Sequence, residues 1–362
     1  MILKLYLNNG NREIVDIDSY TSDDSLRDSL EVLKSICDAE SEDGVNISEV
    51  FSVKGIPYWY IYYRNTYEKY CWTYVKYSEF FKRLHNVRRI KILKTDSNVS
   101  ELLFAYCSFH GIDVCGGKRY RESLKQLINA IVGILLTVMS LIFRRVKVSQ
   151  VAVWSTYNFS DGKPYDFRIA NVYRSLENQN VNYVRVVRLN ENYKRAFRLW
   201  SKTDRPLIFT GSFIAFFKIF NRYFPSKIGK NLKPNNLFGH IACDIGRKNY
   251  YSSKIAIKLV AVLFRKYRIN SALLMEPSER GLHEILAAKS IGIPSIALMN
   301  GVDTKYFHVH KFLTYRQKRT EVFSPEHFGV WSAGWRDYFI ENSKVIPGHN
   351  IEISGHLRSA TN

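Results

Sequence analysis

The segment INSALLMEPSERGLHEILAAKSIGIPSIALM (Ile269–Met299) divides by its own periodicity into strand, loop, helix and strand. Ile269–Met275 and Ile293–Met299 are short apolar runs, too short for helices and apolar enough for strands covered on both faces. Between them, Glu276–Gly292 reads as a polar loop leading into a helix. A strand, a crossover helix and a second buried strand form a parallel βαβ unit.

The same alternation extends toward the N-terminus. Val148–Trp154 is a strand followed by the polar loop Ser155–Asp166, and Phe167–Gln179 is a helix with Ile169, Val172, Tyr173 and Leu176 at helical spacing. Val181–Leu189 alternates as a strand, and Glu191–Trp200 is a helix. Pro206–Ser212 is a strand running into a small-residue turn, and Ser252–Arg268 is a long apolar helix. This order predicts a doubly wound, Rossmann-like parallel sheet in an α/β domain over residues 148–325.

A smaller α/β module is predicted at 1–117. Its strands are Ile2–Leu7, Ile56–Tyr63, Arg89–Leu93 and Gly111–Cys115, its helices Ser25–Ile36 and Val99–His110, and Asp38–Asp43 is an exposed turn. Residues 118–147 form a third segment. Leu127–Phe143 (LINAIVGILLTVMSLIF) runs 17 residues without a charge, about 25 Å of helix. It is flanked by Lys118, Arg119, Arg121 and Lys125 on one side and by Arg144, Arg145 and Lys147 on the other. Three readings stay open: a helix lying in a membrane face, a span at the short limit, or a buried core helix. Basic residues at both ends set no orientation. A one-sided, monotopic mode at the cytoplasmic face of the cell membrane agrees best with the rest of the chain.

Composition bounds the function. The 362 residues are 46% apolar with 53 Lys+Arg against 33 Asp+Glu, a net charge of +20. That excludes a largely disordered or collagen-like chain and predicts an acidic partner. The five cysteines form no CxxC pair, so no disulfide or zinc framework is legible and a reducing environment is expected. The N-terminal MILKLYL reads as a strand, not as a signal peptide. No GxGxxG or Walker A motif is present, and the scattered basic runs accompany no nucleic-acid-binding motif, so nucleic acid is not an expected partner.

In open parallel sheets, ligands bind beyond the carboxyl ends of the strands. Three predicted loops lie there: one with Asp161 and Asp166, one with Glu276 and Glu279, and one beginning Asn300-Gly301. A carboxylate in such a crevice can take a proton from a hydroxyl nucleophile, although the same residue types commonly cap helices. The His283-Glu284 pair suggests a metalloprotease helix, but that motif needs a second histidine at position 287, which is Ala. His308 and His310 lack a third ligand, so no metal site is expected.

ALLMEPSERGLHEILAAKSIGIPSIALMNGV (Ala272–Val302) resembles a segment of GT-B-type glycosyltransferases of bacterial and archaeal surface-polysaccharide synthesis, and of the related CDP-glycerol glycerophosphotransferases. Phe328–Ala360, with WSAGWRD and SGHLR, resembles the element that follows in that family. Asn300 stands where the family commonly has histidine, and Leu357 where proline is usual. The resemblance implies two Rossmann-like domains facing a cleft, with residues 326–362 opening the second and the sequence carrying only its start. It implies a nucleotide-sugar donor, a glycan or lipid-linked acceptor, no metal or other cofactor, and association with an anionic membrane. Asp166 or Glu279 would be the base. Asp161, Glu276, Asn300 and Gly301 would line the acceptor side, and Gly355, His356 and Arg358 would face donor phosphate. The alternatives are a CDP-alditol phosphotransferase, or a non-enzymatic basic protein that binds nucleic acid or anionic membrane.

Overall fold

The computed structural model describes residues 1–22, 26–53, 56–57, 61–116, 124–144, 150–155, 169–188, 192–223, 227–274, 281–299, 324–343 and 346–356. It divides into two compact units. One is Met1–Arg121 with Ser226–Tyr250, the other Glu122–Pro225 with Tyr251–Asn362.

In the first unit, β1 (Ile2–Leu7) and β2 (Arg12–Asp16) form a hairpin. After it come α1 (Leu26–Cys37), α2 (Ile47–Val50), the two-residue strands β3 (Ser52–Val53) and β4 (Ile56–Pro57), and the short helices α3 (Tyr63–Thr66), α4 (Trp72–Lys76) and α5 (Ser78–Arg83). The module closes with β5 (Val87–Lys94), α6 (Ser97–His110) and β6 (Asp113–Gly116). The sheet order is β2-β1-β5-β6, with only the β5–β6 pair parallel. Strand alternation buries Leu3 and Leu5 of β1 against Ile90 and Ile92 of β5. Asp96 caps α6 by accepting from the Val99 amide at 2.8 Å, and Gly111 ends it at φ +68. Of the strand expected over Ile56–Tyr63, Ile56–Pro57 forms β4 and Tyr63 already opens α3, while residues 58–60 lie outside the described residues.

Residues 226–250 complete this unit from far along the sequence. They contribute the first half of a 30-residue helix, which buries Leu237, Ile241, Cys243, Ile245 and Tyr250. Phe51 meets the Tyr250 ring at 6.1 Å and sits so close to Gly246 that a Cβ there would overlap the Phe51 ring.

The second unit begins with α7 (Leu124–Phe143) and continues with β7 (Gln150–Ser155), α8 (Ala170–Asn178), β8 (Tyr183–Val187), α9 (Tyr193–Lys202), β9 (Leu207–Ile208) and α10 (Thr210–Tyr223). The second half of the long helix α11 (Leu237–Lys266) follows, then β10 (Ile269–Leu274), α12 (Leu282–Ser290), β11 (Ser295–Leu298), β12 (His327–Val330), α13 (Ala333–Asn342) and β13 (Ile351–Ile353). The seven strands form one sheet in the order β13-β12-β11-β10-β7-β8-β9, with every pair parallel. All five residues of β8 are buried, as expected for a strand covered on both faces.

Two further expectations need correction. Residues 326–362, expected to open a second Rossmann-like domain, instead carry the sixth and seventh strands of this sheet. β12 pairs with β11 in the register Ala297↔Phe328, and β13 pairs with β12 through Gly329↔Glu352. Phe328 meets Phe339 of α13 edge-on at 5.0 Å, so α13 covers the extension. The strand expected over Pro206–Ser212 is only Leu207–Ile208, because α10 starts at Thr210. The phenylalanine-rich α10 is apolar on too many sides to show a helical period.

Helix α7, for which three readings were open, is neither free nor wholly buried. Its Asn129, Ala130, Gly133, Leu136, Thr137 and Ser140 are buried. Leu136 joins Val187, Ala196, Leu199, Leu207 and Phe209 in one apolar cluster. The small residue Gly133 lets α7 approach α10 closely, since a Cβ there would lie 2.8 Å from Ser212 Cβ. β9 is the sheet's edge strand, and its outward amides are taken up by side chains of α7. Leu207 N donates to Ser140 Oγ at 2.8 Å, and Phe209 N donates to Thr137 Oγ1 at 3.0 Å. The Tyr267 hydroxyl adds a bond to the Thr137 carbonyl at 3.0 Å. A helix that closes an open edge in this way removes a template for unwanted strand pairing.

Candidate functional site

The strand order reverses direction at β7. β8 and β9 are laid down on one side of it, and β10 to β13 on the other. Such a switch point leaves a crevice beyond the carboxyl ends of the two central strands. β7 and β10 are direct neighbours in the register Leu273↔Val153, so their carboxyl ends, before the segments that follow Ser155 and Leu274 in sequence, are adjacent. The first carries Asp161 and Asp166, the second Glu276 and Glu279. Those four residues, together with Asn300, Gly301 and Arg358, lie outside the described residues.

Beneath this edge lies a buried polar network of which the sequence had singled out only the His283-Glu284 pair. Arg188 follows β8, Thr210 opens α10 after β9, and His283 and Glu284 sit in the first turn of α12 after β10. Ser253 reaches in from α11. His283 and Glu284 are 0% and 1% exposed. Arg188 donates from Nη2 to His283 Nδ1 at 3.2 Å, and its Nε lies 3.9 Å from Glu284 Oε2. Thr210 Oγ1 donates to Glu284 Oε1 at 2.6 Å, and His283 Nε2 lies 2.6 Å from Ser253 Oγ.

The serine–histidine contact resembles a nucleophile and its base, but the donor inventory assigns it another role. A guanidinium has no acceptor, so Nδ1 of His283 accepts and the ring's one proton sits on Nε2, which donates to Ser253. Burial and, secondarily, the Arg188 charge hold the His283 imidazolium well below its usual range. The ring is therefore a neutral strut, not a proton acceptor for Ser253. Burial also pushes the Glu284 carboxyl up, opposed by Arg188 and the Thr210 hydroxyl. The network fixes the guanidinium at the end of β8, next to the crevice, with its side chain 15% exposed.

His283 gives a testable pH signature. Its folded pKa is depressed, so as pH falls below the unfolded value of about 6.5 the unfolded chain takes up a proton that the folded chain does not, and stability drops. His283→Gln should remove that component, which is worth up to about 1.4 kcal/mol per pH unit. Urea unfolding of both proteins between pH 7 and pH 5 checks this; parallel profiles would refute the assignment.

Farther along the same edge, the ends of β11, β12 and β13 come together. Trp331 Nε1 donates to the Met299 carbonyl at 2.9 Å and its ring meets His356 at 4.5 Å, while Ser354 N donates to the Val330 carbonyl at 2.8 Å. Gly355 takes φ +76, a backbone conformation that favours glycine. Gly355 and His356 therefore follow the seventh strand, three strand spacings from β10, or roughly 14 Å. The structure does not bring them into the β7/β10 crevice. Among the described residues no group of three His, Cys, Asp or Glu side chains is arranged to hold a metal.

No protein-family model, curated protein or solved structure matches this chain.

Proposed function

We propose that the chain is a GT-B-like glycosyltransferase of cell-surface glycan assembly, or the acceptor-side part of one, moving a sugar from a nucleotide-sugar to a glycan or lipid-linked hydroxyl. The observation that carries this reading is the switch point between β7 and β10, with acid-bearing segments following both strands. Asp166 or Glu279 takes the proton of the acceptor hydroxyl. The acceptor oxygen then bonds to the anomeric carbon as the bond to the diphosphate breaks and the nucleoside diphosphate leaves. The network-held guanidinium of Arg188 supplies a preorganised positive charge near the crevice, and Asp161, Glu276, Asn300 and Gly301 orient the acceptor. Gly355, His356 and Arg358, expected at the donor phosphates, follow β13 away from this crevice and take no part in the step. The resemblance of Ala272–Val302 supports the same assignment, and no metal or further cofactor enters it.

The test is nucleotide release from a panel of UDP-, GDP-, CDP- and dTDP-linked sugars and CDP-alditols in the presence of lipid-linked acceptors. Turnover of nucleotide-sugars is expected, falling about 10²–10⁴-fold in Asp166→Ala or Glu279→Ala, the range for loss of a general base. Turnover confined to CDP-alditols reassigns the donor. Salt-sensitive nucleic-acid binding with no turnover, or full activity in both variants, overturns the reading.

A further inference from the structure

Helix α7 presents two opposite faces. Leu124, Ile128, Ile131, Leu135, Val138 and Ile142 are all at least 40% exposed. Their spacing of four and three residues keeps them within an arc of about 80° at 3.6 residues per turn. The buried residues that close the β9 edge lie on the other side. Beside this stripe packs α9, which exposes Tyr193 and Phe197 between Lys194, Arg195, Arg198 and Lys202. The Arg144 guanidinium lies over Trp200 of α9 at 5.1 Å and donates to the Trp200 and Arg205 carbonyls, tying the two helices at one end.

We propose that this face docks on an anionic lipid bilayer, with α7 lying in the plane of the headgroup boundary and the rest of the unit above it. Contiguous apolar surface of this kind marks an interaction site, and the charges choose the partner. Helices α7, α9 and α10 contain no Asp or Glu and carry Lys125, Lys194, Arg195, Arg198, Lys202, Lys218 and Arg222. A second copy would bring together two predominantly basic surfaces, with Asp204 just after α9 the exposed acid beside them, whereas an anionic bilayer supplies the missing charge. Lys125 and Arg144 at the two ends of α7 suit a helix with both ends at one interface. A transmembrane crossing would strip Leu207 N and Phe209 N of their hydroxyl partners and leave the edge of β9 open. The proposal goes beyond the transfer reaction and does not depend on it.

Flotation of the full chain with vesicles of phosphatidylcholine containing 30% phosphatidylglycerol, against phosphatidylcholine alone, tests it. Binding should be at least about tenfold tighter to the anionic vesicles and should weaken with salt. Ile131→Ser/Leu135→Ser/Val138→Ser should lower it about tenfold or more with unchanged circular dichroism. Lys194→Ser/Arg198→Ser should lower it about tenfold and flatten the salt dependence. Three results overturn the proposal: absence of binding, wild-type binding by the triple variant, or a solution dimer that the triple variant dissolves. Protection of α7 from protease on both sides of a sealed vesicle would assign a span instead and overturns it equally. The readout is partition alone, so failure here leaves donor turnover untouched, and the reverse.

Discussion

Arg188→Met is expected to cost about 3–5 kcal/mol of folding stability, the range for removing one partner of a buried charge pair. Glu284 is 1% exposed, its Oε1 is held by Thr210, and the Arg188 guanidinium is the cation beside its Oε2. Without the guanidinium the carboxylate must stay charged in an apolar surround or take up a proton. Its folded pKa, already raised by burial, rises further in the variant. Stability lost at pH 7 should therefore return as pH falls through that value, because the protonated form is the one the folded site accepts. Arg188→Met/Glu284→Gln should recover at least half of the loss at pH 7, since the amide carries no charge to bury. Urea unfolding of the four proteins at pH 7 and pH 5 measures the cycle. A loss below about 1 kcal/mol in the single variant would show that the pair is not what holds the edge together.

Thr137→Val/Ser140→Ala should cost about 2–6 kcal/mol, from two buried amides left without acceptors at about 1–3 kcal/mol each. Shape changes little in either substitution, so the penalty isolates the lost hydroxyls. Thr137→Ser keeps the oxygen and should fall within about 1 kcal/mol of wild type. Amide exchange gives the local readout: Leu207 and Phe209 should lose protection in the double variant, while Val184 and Val186 of β8, inside the sheet, should keep theirs. Loss of protection throughout the sheet would mean that α7 holds the whole unit and not its edge.

The two substitutions also show where the sequence was informative. Parallel strands buried on both faces announce themselves as compact apolar runs, so β7, β8, β10 and β11 were legible from Val148 onward. The two-residue β9 and the helix that begins beside it were not, because Phe209–Phe220 is apolar in nearly every direction. The acid-bearing segments were legible as positions following strands, while the network beneath them was hidden by distance in sequence. Arg188, Thr210, Ser253 and Glu284 are drawn from four separate elements, and no local spacing joins them. The one local sign was a His-Glu pair opening a helix whose later turns are Leu and Ala, a costly place for two polar groups without partners. Residues 326–362 were misplaced for a related reason. A β-strand's own residues do not say which sheet it joins, and β12 joins β11 through a register that only the folded neighbours define.

The split makeup of the first unit bears on synthesis. Met1–Arg121 emerges from the ribosome without Ser226–Tyr250, which follows only after the roughly hundred residues of Glu122–Pro225. At ordinary elongation rates that is a delay of about 5–20 s. During that interval Phe51 has no Tyr250 to meet, and the surface later filled by Leu237, Ile241 and Ile245 stands open to solvent or to a chaperone. The nascent chain thus carries an unfinished N-terminal module while its parallel sheet is being made, and helix α11 is the last stretch the module waits for.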